Sequence, residues 1–238
     1  MIIHDEAILI AKYQFGDSSN ILTLFTKEHG IQKGLLKGAN SSKIRHVLSL
    51  GNILSITKMV RLEEQLGILK VDLQESNLAN IFYNNTKLLA LTTMCSLIEE
   101  FIPMQEISTP FYLDSKDMIA NLTKDDFLLL YANWELLLLN NIGFGLDFSK
   151  CVVSDAPDIY YLSPKSGKSV SKTVGEPYKD KLFIIPQFIT NKTTPNNIQD
   201  ILNLLDITTH FLQFFCTEYN KKIPNMRNLL LKNLATLF

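Results

Sequence analysis

The sequence has no excess of charge of either sign: 23 lysines and arginines stand against 24 aspartates and glutamates in 238 residues. On that balance alone nothing asks for a nucleic-acid partner. Only three cysteines are present, Cys95, Cys151 and Cys216, an odd number at wide spacing with no signal peptide ahead of them. This excludes a disulfide framework and points to a reduced, cytoplasmic protein. Long hydrophobic runs are also missing. The two most apolar stretches, 81–102 and 127–142, are interrupted by Lys87 and Glu135, and the second falls short of the roughly 20 residues needed to cross a bilayer, so no membrane span is expected. No repeat or low-complexity tract occurs, and 46% hydrophobic residues supply a sizeable core, which excludes a disordered tail or a fibrous chain.

Catalytic patterns are absent as well. There is no phosphate-binding loop, no Gly-x-Ser-x-Gly elbow, and Gly143-Phe-Gly145 lacks the third glycine and the preceding strand of a dinucleotide fingerprint. His4, His29, His46 and His210 stand apart from one another and from the cysteines, so no local metal or nucleophile pattern forms. Glu99-Glu100 and Asp125-Asp126 are neighbours on helical stretches and point in different directions, which suits a solvated face or a cap. An enzyme would need a site that converges only in three dimensions. None is asked for by the sequence, and neither a cofactor nor a metal is expected.

What is present is a change of period. Residues 7–10, 21–25, 31–36, 53–60 and 66–71 alternate as half-buried strands do. Glu28-His29-Gly30 closes one hairpin and Glu63-Glu64-Gln65 separates the last two strands; 38–46 is polar, cationic and glycine-started, a long exposed loop. Five short strands with one long loop predict a closed barrel of OB type over 1–77. From 78 to 238 the spacing is helical. Leu88, Leu91, Cys95, Ile98 and Ile102 line one face of a helix that Pro103 ends. Thr123-Lys-Asp-Asp126 predicts a capped helix over 124–140 that stops at Asn141-Ile-Gly143. Thr194 with Pro195 starts another, with the stripe Ile198, Ile201, Leu205, Leu212 and Phe215. A last helix follows Pro224, carrying Leu229, Leu230, Leu234 and Leu237. Residues 147–186 have no helical stripe and read as an irregular, short-stranded insertion. The fold class is α+β: a five-stranded barrel, then an α-helical domain with an insertion.

Charge is uneven along this plan. From Lys27 to Arg61 there are seven cations, Lys27, Lys33, Lys37, Lys43, Arg45, Lys58 and Arg61, against Glu28 as the only acid, a local excess of six. On a barrel, such cations can form a groove that follows a phosphate backbone; they also suit an ordinary solvated surface. Tyr13 and Phe15 border the loop at Gly16-Asp-Ser-Ser and are candidates for base stacking, whereas Phe25 and Trp134 read as core.

These segments, in this order, resemble the bacterial RecO recombination mediators. The resemblance rests on Asp5-Glu6-Ala-Ile-Leu-Ile, Phe15-Gly-Asp-Ser-Ser-Asn20, Leu24-Phe-Thr-Lys-Glu-His-Gly30 and Leu35-Leu-Lys-Gly-Ala39 with the basic loop after it. It continues through Gly143-Phe-Gly-Leu-Asp-Phe-Ser-Lys-Cys151 and Leu162-Ser-Pro-Lys-Ser-Gly167, and so covers essentially the whole chain. It implies an OB barrel and a helical domain without enzymatic turnover. It also implies binding of single- and double-stranded DNA, strand annealing, and action with RecR, RecF and RecA on DNA coated by single-strand binding protein, whose carboxy-terminal tail is a docking partner. Carried onto this chain, the DNA groove draws on Lys33, Lys37, Lys43 and Arg45, with Lys27 and Arg61 outside them.

The resemblance also implies, for many members, a four-cysteine zinc site in the insertion. Here its positions correspond to Cys151, Ser154, Ser171 and Val174, so the zinc ribbon is degenerate and the insertion is expected to fold without metal on Val152, Val153, Tyr160, Tyr161 and Leu162. For the partner's acidic tail, Lys221, Lys222 and Arg227 near Tyr219 and Met226 supply a cationic rim on an apolar surface. Lys221 and Lys222 equally suit the carboxy terminus of a helix. A non-enzymatic interaction scaffold, its basic barrel binding an acidic protein, is the rival to the DNA-binding reading.

Overall fold

The computed structural model describes residues 1–60, 66–76, 78–191 and 193–237, without the side chains of Ser42 and Lys43. The expected separator at 63–65, Arg61 and Lys192 therefore lie outside the described residues. Two compact units are formed, Met1–Phe127 with Ile223–Leu237, and Leu128–Lys222.

The first unit is built on a closed barrel of β1 (Ile2–Phe15), β2 (Ser19–Thr26), β3 (Gly30–Lys37), β4 (Ile53–Met59) and β5 (Ile68–Glu75) in the order β1-β2-β3-β5-β4, with β1 and β4 paired antiparallel to close it. The α+β architecture with its five-stranded barrel is the one expected. β1 is longer than the apolar run at 7–10, because its first half pairs with β4 and its second half with β2. Between Leu9 and Ala11 the register slips by one residue, a bulge at Ile10. Ala7, Leu9, Leu22, Leu24, Leu36, Leu54 and Ile56 fill the interior.

The connection from β3 to β4 is not the exposed loop expected. It contains a short helix, α1 (Ser42–Arg45), and Ala39, Val47 and Leu48 are buried in the barrel core with Ile44 packed against them. Open barrel ends expose apolar side chains, and these four cover one end. Only the polar half of the segment was legible as loop.

Helices α2 (Leu78–Ile81), α3 (Asn85–Phe101), α4 (Thr109–Asn121) and α9 (Asn225–Leu237) complete this unit. α3 is capped by the Asn84 side chain, which accepts from the Lys87 N–H, and it packs on α9, where the Thr86 hydroxyl donates to Asn233. On α9 Leu230 and Leu234 are buried, but Leu229 and Leu237 face outward. α4 has no counterpart in the periodicity reading, since its apolar residues are interleaved with Asp114, Lys116 and Asp117. Phe25 is core, as expected, but outside the barrel, against Phe111 and Tyr112 of α4 with ring centres 6.0 and 5.5 Å away.

The second unit holds α5 (Phe127–Asn141, from Leu128 onward), the sheet β7 (Ser169–Ser171), β6 (Ile159–Leu162), β8 (Phe183–Ile184), and the helices α6 (Lys172–Gly175), α7 (Gln187–Asn191) and α8 (Ile198–Glu218), with a 3-10 turn over Glu176–Lys181. Trp134 is buried in α5. Two helix starts move relative to the sequence expectation. α5 begins at Phe127 rather than 124, because Thr123 turns its hydroxyl back to the Ala120 carbonyl, ending α4 rather than capping α5. α8 begins at Ile198 rather than Pro195, because Asn197 accepts from the Asp200 N–H and Asp200 accepts from the Asn196 N–H. Glu135 is fully buried, accepting from the Tyr131 hydroxyl at 2.6 Å and from Thr208 on α8. The insertion is short-stranded as expected, but Val152 and Val153 are exposed; its small core is Cys151, Tyr161 and Val170 with Tyr160, Val174 and Leu182.

Gly30 closes the β2–β3 hairpin at a φ of +65°, and a Cβ there would run into the backbone of Gln105 and Glu106. Gly30→Ala is therefore expected to lower stability by at least ~1–2 kcal/mol, the cost of the left-handed conformation alone, read as a lower urea midpoint with an unchanged slope.

Candidate nucleic-acid interface

Neighbouring residues across an antiparallel ladder share a face, and the face alternates along each strand. In this barrel Phe15 pairs with Ser19 and Ser19 with Lys37; Tyr13 pairs with Ile21 and Ile21 with Leu35; Ala11 pairs with Thr23 and Thr23 with Lys33. The alternate residues Leu22, Leu24 and Leu36 point into the core, so Tyr13, Phe15, Lys33 and Lys37 lie together on the outer face of β1–β3. The bulge at Ile10 puts them there. Without the extra residue Tyr13 and Phe15 would keep the inward phase of Ala7 and Leu9. Both rings are half exposed, 51% and 55%, and Lys37 is exposed while Lys33 is half-buried.

An acid joins this face that the sequence reading assigned to a solvated helix surface. Glu99 of α3 accepts from the Tyr13 hydroxyl at 2.9 Å and from the Thr23 hydroxyl at 3.2 Å. Burial, then the hydrogen bond and charge of Glu99, raise the Tyr13 phenol above its ordinary range. Tyr13 is thereby held by its tip with part of its ring free. Phe15, next to the turn at Gly16, is the more available stacking surface.

The remaining cations do not all gather here. The segment leading to α1 is held against the β1–β2 turn: the Ala39 N–H donates to the Ser18 carbonyl and the Asn40 side chain to the Asp17 carbonyl. Arg45, exposed at the end of α1, belongs to this rim. Lys27 sits at the far end of the β2–β3 hairpin, seven residue steps or about 23 Å from the Lys37 end. Lys58 points into the barrel and is 7% exposed. The side chain of Lys43, and Arg61, lie outside the described residues. The basic window is thus divided among an outer face, a distant turn and the interior.

Sequence comparison places this geometry in a family. Residues 1–77 match the profile of the recombination protein O N-terminal domain and 84–222 that of its C-terminal domain. The chain belongs to the recombination protein O family. It is 36% identical to the DNA repair protein RecO of Rickettsia canadensis over 222 residues, covering 93% of this chain and 92% of that one. With the RecO of Wolbachia pipientis wMel it shares 36% over 238 residues, covering 95% and 98%, and with that of Rickettsia bellii 35% over 228 residues, covering 95% and 94%.

The zinc-site positions of the family resemblance come together in the insertion, but without the ligands. The Cys151 thiol accepts hydrogen bonds from the Ser154 hydroxyl and from backbone N–H groups of Val153, Ser154 and Ser171, and Val174 packs on the same small core. One thiol, two hydroxyl-bearing residues and a valine do not fit a tetrahedral structural zinc site. Among the described residues, no group of three or more His, Cys, Asp or Glu side chains is placed to hold a metal ion. Burial raises the Cys151 pKa, but the hydrogen bonds outweigh it and bring the group down to about 6.

At the end of α8 in the second unit an aromatic cluster is exposed. The Phe144 ring centre lies 5.7 Å from Phe214 and 5.4 Å from Phe215, and Tyr219 stacks on Phe215 at 4.6 Å; Tyr219 and Phe214 are 60% and 45% exposed. Lys221 and Lys222 follow at once, after Asn220 ends the helix with a positive φ. Arg227 is fully buried in the first unit, so its guanidinium is not presented at a surface.

Three of the four histidine rings have hydrogen-bond partners. His29 Nδ1 lies 2.7 Å from Asp5, His4 bonds Thr57, and His210 bonds the Pro164 carbonyl. Among the described residues, no helix is long and apolar enough to cross a membrane.

In a titration followed at 240 nm, one thiol is expected to ionise near pH 6, while burial holds Cys95 protonated up to about 12. In Cys151→Ser the low step should vanish. Its persistence there would remove the hydrogen-bonded thiolate.

Proposed function

We propose that this protein is a DNA-repair and recombination mediator that holds DNA rather than reacting with it. The observation that carries this reading is the strand register that sets Tyr13, Phe15, Lys33 and Lys37 on one outer face of the barrel, with Arg45 on the adjoining rim. Cations on one face neutralise phosphates of a strand laid across it, and an exposed ring offers a base a stacking surface without reading its identity. Single strands then bind with little sequence preference and strong salt dependence. Duplex binding and annealing follow from the same screening, since two backbones near one basic surface repel each other less. No bond is made or broken in this scheme.

Membership of the family supports the repair role, and its relatives are named DNA repair proteins. In this reading the chain works in the cytoplasm with RecR, and with RecF, to load RecA on DNA coated by single-strand binding protein. The acidic, apolar tail of that protein docks on the Phe144, Phe214, Phe215 and Tyr219 cluster, with Lys221 and Lys222 supplying the positive rim and the buried Arg227 left out. Lys27 contributes to DNA only as an outlying contact, and Lys43 and Arg61 are retained as candidates from the sequence.

Two measurements separate the parts of this mechanism. Lys33→Ala/Lys37→Ala/Arg45→Ala should flatten the slope of log K against log salt for single-stranded DNA by about 2, the release expected from three phosphate contacts. An unchanged slope would remove the face from DNA binding and favour the scaffold. Phe15→Ala should leave that slope unchanged while weakening binding by about 1 kcal/mol or more, the loss of one stacked base.

A further inference from the structure

The barrel end away from α1 is not filled. A cavity of about 250 Å³ opens there, with Ile3, Val60 and Ile107 as apolar walls and Lys58, Gln32 and Gln105 as polar ones. It is smaller than the roughly 300–1,000 Å³ of pockets that take drug-sized ligands, and the mouth of a barrel is a common place for a ligand site. Its chemistry is unusual for a packing defect. Lys58 enters from β4 opposite Ile3 and is 93% buried, yet among the described residues its only hydrogen-bond acceptor is Gln32 Oε1 at 2.9 Å. No carboxylate of the described residues lies within ion-pair distance of it.

Gln32 is fixed for this task. Its amide nitrogen donates to the His29 carbonyl at 2.7 Å, which turns the oxygen toward Lys58. An ammonium carries three N–H donors, so two remain for the cavity. Two other polar groups line the rim: the Met1 ammonium donates to the Val60 carbonyl, and the His29 ring is engaged by Asp5, whose carboxylate also accepts from the Glu6 and Glu28 backbone N–H groups. Asp5 is thus spoken for, and among the described residues Lys58 has no matching anion. Burial without a counter-charge is costly, and it lowers the pKa of Lys58.

We propose that this barrel mouth is a binding site for a small monocarboxylate with a short apolar body, its carboxylate on the Lys58 ammonium and its hydrocarbon against Ile3, Val60 and Ile107. Such a ligand offers the buried ammonium a carboxylate and covers the apolar walls with one molecule. A free acid and the carboxy-terminal residue of a chain share this chemistry. Inorganic phosphate does not, because it has no apolar part and keeps more of its charge than these walls can solvate. The site is on the barrel interior, apart from the outer face of β1–β3, and does not depend on the DNA reading.

The test follows the Lys58 side chain in the full-length protein by ¹H–¹³C NMR with ¹³C-lysine. Titration with 4-methylpentanoate is expected to give a saturable shift and to raise the Lys58 pKa, while the neutral 4-methylpentanamide binds at least about tenfold more weakly. The site is then probed by ligand-observed NMR in two variants. Lys58→Met removes the charge at similar length and should abolish the preference for acid over amide. Ile107→Asp, at an exposed rim position where folding is not at risk, should weaken both ligands through the lost apolar contact, and the acid by about tenfold more than the amide through the added charge. N-acetyl-alanyl-leucine distinguishes the sources: binding about tenfold tighter than 4-methylpentanoate assigns a chain end, equal or weaker binding a free acid. No saturable shift up to about 50 mM, equal affinity for acid and amide, or an acid preference unchanged in both variants overturns the proposal.

Discussion

A single extra residue in β1 sets the arrangement of the first unit. β1 pairs with β4 through its first half and with β2 through its second, and the bulge at Ile10 lies where the two ladders meet. A bulge bends the strand and sharpens its twist, which helps a five-stranded sheet close on itself. It also reverses which side chains face in. Ala7 and Leu9 fill the barrel before it, and Tyr13 and Phe15 stand outside after it. The interior packing and the outer aromatic face are two outcomes of one slip in register.

Polar groups close both ends of the barrel. At the end covered by α1, the Lys12 ammonium donates to the Leu48 carbonyl and fastens the cap. At the other end the interior row continues past Ile56 to Lys58, and the core ends in a cation and an amide instead of a hydrocarbon. On the outside, Glu99 ties α3 to β1 and β2 through two hydroxyls and places one negative charge beside the basic face. Lys33 and Lys37 therefore sit in a mixed field, on a face that also carries a carboxylate.

Much of the plan was legible in the sequence. Two-residue alternation marked the five strands, and the helical stripes of α3 and α8 are mostly buried, although Leu88 and Ile198 are half-buried and the buried faces also take in Met94, Leu97, Leu204 and Phe211. The helix starts lie at Phe127 and Ile198 rather than at 124 and 195 because the Thr123 hydroxyl donates back to the Ala120 carbonyl and Asn197, not Thr194, caps α8. α4 escaped notice because one face carries Phe111, Tyr112 and Met118 while the intervening charged residues break up the stripe; Lys116 pairs with Glu6 and Glu75 of the barrel. The basic window was legible as a count but not as a surface. A formal charge at Lys58 looks the same in the sequence as one at Lys37.

The sequence by itself determined the five strands and most of the helices, a single thiol, Cys151, where the family resemblance implies four zinc ligands, and the uneven run of charge from Lys27 to Arg61. These follow from local chemistry: side-chain periodicity, the donor set, and the placement of charge. Only the tertiary structure decided which of those residues share a face. That depends on register, and register is set by pairings between positions far apart in the chain, such as Ile3 with Lys58, where a shift of one residue exchanges inside for outside.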